Sequence, residues 1–230
     1  MSRRSEPIRL VPEQTDRVAA WRKAQGAEFA DYMDRPVEMG PYLSDRWQRD
    51  PKTVLFTLAR YKFVAKMLAG TKQVAEVGAC DGWASRIVAM EVATLEPFDL
   101  APLGHFVAQH DIMARPLPLR AGKYVDYDAV FSLDTIEHVA DVNMFMRNIA
   151  DSLVSHGKAI IGTPSIESQV HASEPSRKLH INCMSGEALR KLAAQHFHHV
   201  FMFSMNDEVV HTGFMPMAHY LFAVCAEPIR

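Results

Sequence analysis

The run Glu76-Val77-Gly78-Ala79-Cys80-Asp81-Gly82-Trp83 holds two glycines where a short apolar segment gives way to helical spacing. Glycines at such a junction let the backbone turn sharply and let a ligand come close to the main chain. A dinucleotide pyrophosphate would want G-x-G-x-x-G ahead of a helix N-terminus. Counted from Gly78, Cys80 and Trp83 stand where the second and third glycines belong, so a nicotinamide or flavin site fits poorly. Histidine is the other chemically capable type, with 11 in the chain. A hydroxyl nucleophile is served by a general base that titrates near neutrality, which is the range of histidine. His138 follows a strongly apolar segment, His180 lies in Lys178-Leu179-His180-Ile181-Asn182, and His211 clusters with Asp207 and Glu208. These three are the candidate catalytic residues. His196, His198 and His199 invite a metal reading, but close neighbours at a helix end do not converge easily on one ion. With no Cys partners and no HExxH spacing, no metal is expected.

Positioning these residues falls to an alternating set of elements. Residues 12–32 and 53–69 carry helical apolar spacing, the second preceded by Pro51 and followed by Gly70. Short apolar strands are predicted at 73–78, 92–96, 105–108, 128–133 and 158–162, with helices over 83–91, 142–155 and 185–196. Two closing strands, 200–205 and 219–225, have no helix between them and are expected to pair as an antiparallel hairpin. The alternation predicts an α/β fold: a doubly wound, seven-stranded, mostly parallel sheet with that antiparallel C-terminal hairpin. Residues 1–52 are expected to form a helical extension or cap, and 53–230 the main domain.

The Glu76–Gly82 stretch resembles the acidic-x-Gly-x-Gly-x-Gly turn of class I S-adenosylmethionine-dependent methyltransferases, with Cys80 in place of the middle glycine. That family carries an acidic residue at the end of its second strand, and Glu96 stands 20 residues after Glu76. Asp111, in His110-Asp111-Ile112, follows the third predicted strand. The stretch from Tyr127 to Val139, with Glu137-His138-Val139, is similar to a segment of the branch that includes quinone and small-molecule methyltransferases; Pro164 matches the end of that branch's fifth strand. The resemblance spans residues 53–225 and implies a Rossmann-like fold with S-adenosylmethionine as cofactor. It implies that Glu76, Gly78, Ala79 and Gly82 shape the methionine end, Glu96 holds the ribose diol, and Asp111 and Ile112 meet the adenine. Ser132, Leu133 and His138 would border the cofactor, and Arg60 is a candidate partner for its carboxylate. The implied activity is methyl transfer to a hydroxyl or amine of a small polar metabolite, such as a sugar or sugar nucleotide. The alternative is a non-catalytic binding or scaffold protein that has kept the fold.

Composition bounds these readings. At 230 residues with 48% apolar content, the chain can bury a full core without disulfides or structural metals. Three scattered cysteines, Cys80, Cys183 and Cys225, fit a reducing compartment, so a cytoplasmic location is expected. No apolar run approaches a membrane span, and Met1–Leu10 has no hydrophobic stretch that would make a secretory signal. Net charge is −2, with 14 Lys+Arg against 9 Asp+Glu in residues 1–72 and the balance reversed beyond. Nucleic-acid binding wants a strong basic excess, which is missing. The expected partners are a small-molecule acceptor and, as a possible assembly, a second copy of the chain.

Overall fold

A computed structural model describes residues 16–21, 23–24, 39–118 and 126–230. In the first compact unit, Met1–Met39, the described residues 16–21 and 23–24 are helical. The rest of the helix expected over 12–32 lies outside the described residues. The second unit, Gly40–Arg230, carries the sheet. It begins ahead of the expected boundary at 52/53 and includes a helix α1, Pro41–Arg49. Helix α2, Pro51–Met67, follows after Asp50. Each helix starts on proline, whose fixed φ suits a first turn and whose missing N–H would have no partner there.

Among the described residues the sheet has eight strands: β1 Gln73–Val77, β2 Thr94–Asp99, β3 Ala108–Gln109, β4 Tyr127–Leu133, β5 Leu153–Pro164, β6 Phe197–Asn206, β7 Val209–His211 and β8 Tyr220–Pro228. Their spatial order is β3-β2-β1-β4-β5-β8-β6-β7. Pairs among β1 to β5 are parallel, whereas β8 joins β5 and β6 antiparallel. The α/β class and the antiparallel closing pair match the sequence reading; the seven-strand count becomes eight. The additional strand is β7, folded back on the end of β6 from within the connection between the closing strands.

Alternation along the strands sends residues to opposite faces. Ala129, Phe131 and Leu133 of β4 pack with Tyr61 and Val64 of α2, with Leu68 just beyond its end, and with Val88 of α3, Ser85–Ala89. Val130 faces the other way, toward Phe145, Met146 and Ile149 of α4, Val142–Asp151, and Leu189 and Leu192 of a later helix, Gly186–Ala193. Helices thus cover both faces, and β8 reads as an unbroken apolar run from Tyr220 to Cys225 because neither of its faces meets water. Asp141 and Ser185 cap these two helices through their side-chain oxygens. Among the described residues, no helix is long and apolar enough to cross a membrane.

Strand order reverses between β1 and β4. In a doubly wound sheet a crevice opens there, outside the carboxyl ends of the strands.

Candidate active site

The turn after β1 is built from left-handed backbone. Gly78, Cys80 and Gly82 have φ of 84°, 55° and 67°. Cys80 therefore occupies a conformation that glycine adopts freely, and its Cβ costs about 1–2 kcal/mol there. A Cβ on Gly82 would come within 2.5 Å of the Phe106 ring, and one on Gly78 would overlap the Thr135 side chain. The turn is tied to β2: Gly78 N and Ala79 N donate to the Phe98 carbonyl at 2.8 and 3.0 Å, and Cys80 N donates to Asp99 Oδ2 at 2.7 Å. Asp99 Oδ1 accepts from Ala101 N at 2.8 Å. Asp81, buried, accepts from Leu43 N at 3.0 Å and Trp83 N at 3.1 Å, so it joins the first turn of α1 to the glycine turn.

Asp99, rather than Glu96, ends β2. The predicted strand at 92–96 is displaced to Thr94–Asp99, because Pro97 does not stop it. β3 pairs only with Phe98 and Asp99, which leaves the outer side of β2 without a partner at Pro97 and tolerates the missing N–H. Glu96 sits in mid-strand opposite Ala75 and accepts from Tyr127 Oη at 3.0 Å. The strand-end position expected for Glu96 belongs to Asp99, and a strand read through the proline would have found it.

Beyond Asp99 lies an open depression of about 540 Å³ lined by Leu100, Gln109, His110, Asp111, Ala114 and Arg115. Asp111 Oδ1 accepts from Met113 N at 2.9 Å. Ile112 is buried in the core and not among these lining residues; its carbonyl accepts from Asn148 Nδ2.

Glu76 points inward. Tyr61 Oη donates to its Oε1 at 2.5 Å, and burial pushes its carboxyl up to about 7. Arg60 is also engaged: Nη1 lies 2.9 Å from both oxygens of Asp134, and the guanidinium stacks 3.9 Å from the Tyr220 ring centroid. Burial opposes its charge, yet Asp134 and Tyr220 leave the guanidinium above its ordinary range. Asp134 itself has φ of 52°. Ser132 Oγ donates to the Val77 carbonyl at 2.8 Å, locking β4 to β1 just below the crevice, and Leu133 is buried beside it.

After β4 the chain makes a 3-10 turn, Ile136–His138. Glu137 is buried and accepts from Thr163 Oγ1 at 3.0 Å; burial, then Asp134, raises its carboxyl to about 8. The Glu137 carbonyl accepts from Ile181 N and Asn182 N at 2.8 and 3.0 Å, which draws the 180–182 segment over the end of β4. His138 and His180 consequently meet, ring centroids 5.0 Å apart and planes at 71°. His138 Nδ1 donates to the Leu179 carbonyl at 3.0 Å, and His180 Nδ1 to Gln169 Oε1 at 3.1 Å. Burial, then His138, lowers the pKa of His180. His211 does not join them. It lies on β7, where Ser204 Oγ is 2.9 Å from its Nδ1, four strand positions from β4, or about 19 Å at usual strand spacing.

No protein-family profile matches the sequence, and no curated protein matches it. Solved structures do. A SAM-dependent methyltransferase from Thermotoga maritima is similar with a TM-score of 0.59 at 16% identity, over 81% of this chain and 95% of that one. The complex of the Haloferax volcanii Trm112 methyltransferase activator with a methyltransferase gives 0.58 at 15% identity, over 84% and 100%. The methyltransferase domain of bacterial CtHen1-C gives 0.57 at 14% identity, over 74% and 98%. The fold is that of SAM-dependent methyltransferases.

On this methyltransferase fold, Gly78, Ala79, Gly82, Asp99 and Asp111 border the carboxyl ends of β1 to β3, while Asp134, Glu137, His138 and His180 gather beyond β4. Glu137 was a further site residue to be read from the sequence. Its signal is the Glu137-His138 pair with an isolated histidine on a later segment.

Proposed function

We propose that the chain is an S-adenosylmethionine-dependent methyltransferase that acts on a hydroxyl or amine of a small polar metabolite, with sugars and sugar nucleotides as the first acceptors to try. One observation carries the reading: a left-handed turn is held to an acidic strand end by Cys80 N on Asp99, and a depression of about 540 Å³ begins at the next residue, Leu100. The dimensions and donors fit an adenosine. Asp99 spends one lone pair of Oδ2 on Cys80 N and one of Oδ1 on Ala101 N, and keeps others for a ribose diol, since a carboxylate offers about four acceptor sites. Leu100, His110 and Asp111 line the place for the base, and the Gly78–Gly82 turn is assigned to the amino-acid end.

Bound there, S-adenosylmethionine supplies an electrophilic methyl group. The protein's part is to align the acceptor with it, and positioning alone accounts for much of the acceleration in such reactions. His138 and His180 flank the acceptor side with Nδ1–H groups already committed to Leu179 and Gln169, so each Nε2 carries a lone pair that can take a proton. Arg60 orders Asp134 through Nη1 at the head of this segment, and its remaining N–H groups are the candidate partners of a cofactor carboxylate. Action in the cytoplasm, on a soluble acceptor and without nucleic acid, accords with the charge balance and the three unpaired cysteines.

Calorimetric titration with S-adenosylmethionine tests the proposal, followed by radiolabelled methyl transfer across sugars, sugar nucleotides, phenols and amines. The expected result is saturable one-to-one binding. No heat, and no cofactor retained on purification, would leave a scaffold that has kept the fold.

A further inference from the structure

His138, His180 and Glu137 do more than offer bases. One ligand atom from each lies within 4.8 Å of the others. We infer that this trio is a binding site for a divalent first-row transition metal ion at the acceptor side of the crevice. Two imidazoles and one carboxylate are a donor set suited to Mn, Fe, Co or Zn, and three protein ligands leave coordination positions open.

The supporting bonds favour this reading over three unrelated side chains. A backbone carbonyl accepts only, so Leu179 fixes His138 with its proton on Nδ1 and its lone pair on Nε2. Gln169 Oε1 does the same for His180. Thr163 Oγ1 orients the carboxylate of Glu137 from behind. Ligating histidines regularly hold their other ring nitrogen in this way, and ligating carboxylates are hydrogen-bonded in turn. Bonds of about 2.0–2.2 Å bring donors to about 3–3.5 Å from one another, so a pair near the 4.8 Å limit closes by about 1 Å. His138 is exposed and His180 sits in the short segment 180–182 drawn over β4, so the closure asks only for small ring movements.

The catalytic use of the ion rests on the function proposed above and selects a hydroxyl acceptor. An oxygen coordinated beside the crevice loses its proton to water more readily, which removes the need for a histidine base. The binding itself does not rest on that function, and the test keeps the two apart.

The full chain, freed of metal by chelator, is titrated with Co²⁺ while visible d–d absorption is recorded; S-adenosylmethionine binding is measured on the same preparation by calorimetry. One equivalent of Co²⁺ with saturable bands is expected, displaced by Zn²⁺. His138→Ala and His180→Ala, checked for native circular dichroism, should each weaken binding by at least about tenfold. His198→Ala should leave it unchanged. Absence of saturable bands, or bands that persist in both the 138 and 180 variants, overturns the site. Cobalt binding without cofactor heat would overturn the methyltransferase reading and keep the metal site; cofactor heat without cobalt bands would do the reverse.

Discussion

The two halves of the crevice are made of different material. On the β1–β3 side the surfaces nearest the turn are main chain: positive-φ residues, peptide N–H groups fastened to Phe98 and Asp99, and an open depression beyond them. Beyond β4 they are side chains. Arg60 holds Asp134, Thr163 holds Glu137, and two histidines are oriented from outside. A main-chain site is fixed by the fold and fits a constant ligand, whereas a side-chain site can be rewritten by substitution and suits the variable partner. The comparison predicts that damage on one side stays on that side.

The largest effect should come from the side-chain half. His180→Ala is expected to lower kcat on the order of 10²-fold while the S-adenosylmethionine Kd stays within twofold. Equal losses in both would show that the two halves are not separable.

Glu76 lies beneath the main-chain half and couples it to stability. Its carboxyl is raised from 4.5 to about 7, so between these values the folded protein keeps a proton that the unfolded chain releases. The Glu76 contribution to stability should fall as pH rises through that window, by about 3 kcal/mol in all, and be flat on either side. Glu76→Gln cannot ionise and should abolish this dependence. Urea unfolding of both proteins from pH 4 to 8 would show a difference that grows with pH; a constant difference refutes it.

Asp99→Ala should weaken cofactor binding by about 1–3 kcal/mol, because ribose hydroxyls and Cys80 N lose their acceptor together. Glu96→Ala, in mid-strand, should leave the dissociation constant within twofold. The opposite ranking would return the ribose role to Glu96.

The smallest effect concerns Cys80. Cys80→Gly relieves a left-handed Cβ but adds chain entropy to the unfolded state, a net gain of about 0.5 kcal/mol by denaturant midpoint. Cys80→Ala keeps the strain and should give no gain.

Much of the architecture was legible because it is periodic. The apolar runs at 73–77 and 128–133 are short and ungapped because both faces of the sheet are covered, and helical spacing at 53–67 marks the face that α2 buries. Where periodicity met an exception, reading failed. The strand read at 92–96 runs on through Pro97 to Asp99, since a proline is harmless where no neighbour pairs, and β7 is too short to announce itself. The site divides in the same way. The Gly78–Gly82 turn is local, a backbone demand written in consecutive residues. Arg60 on Asp134 spans 74 positions and His138 on the Leu179 carbonyl spans 41, and no local pattern encodes either pairing.

The sequence by itself determined that strands alternate with helices and that a tight, glycine-dependent turn follows β1, since backbone conformation and hydrophobic period are properties of neighbours in the chain. Only the tertiary structure decided that Arg60 is engaged by Asp134, and that Glu137, His138 and His180 share one place while His211 stands apart. Those outcomes depend on strand register and sheet order, which are fixed by burying the whole core at once.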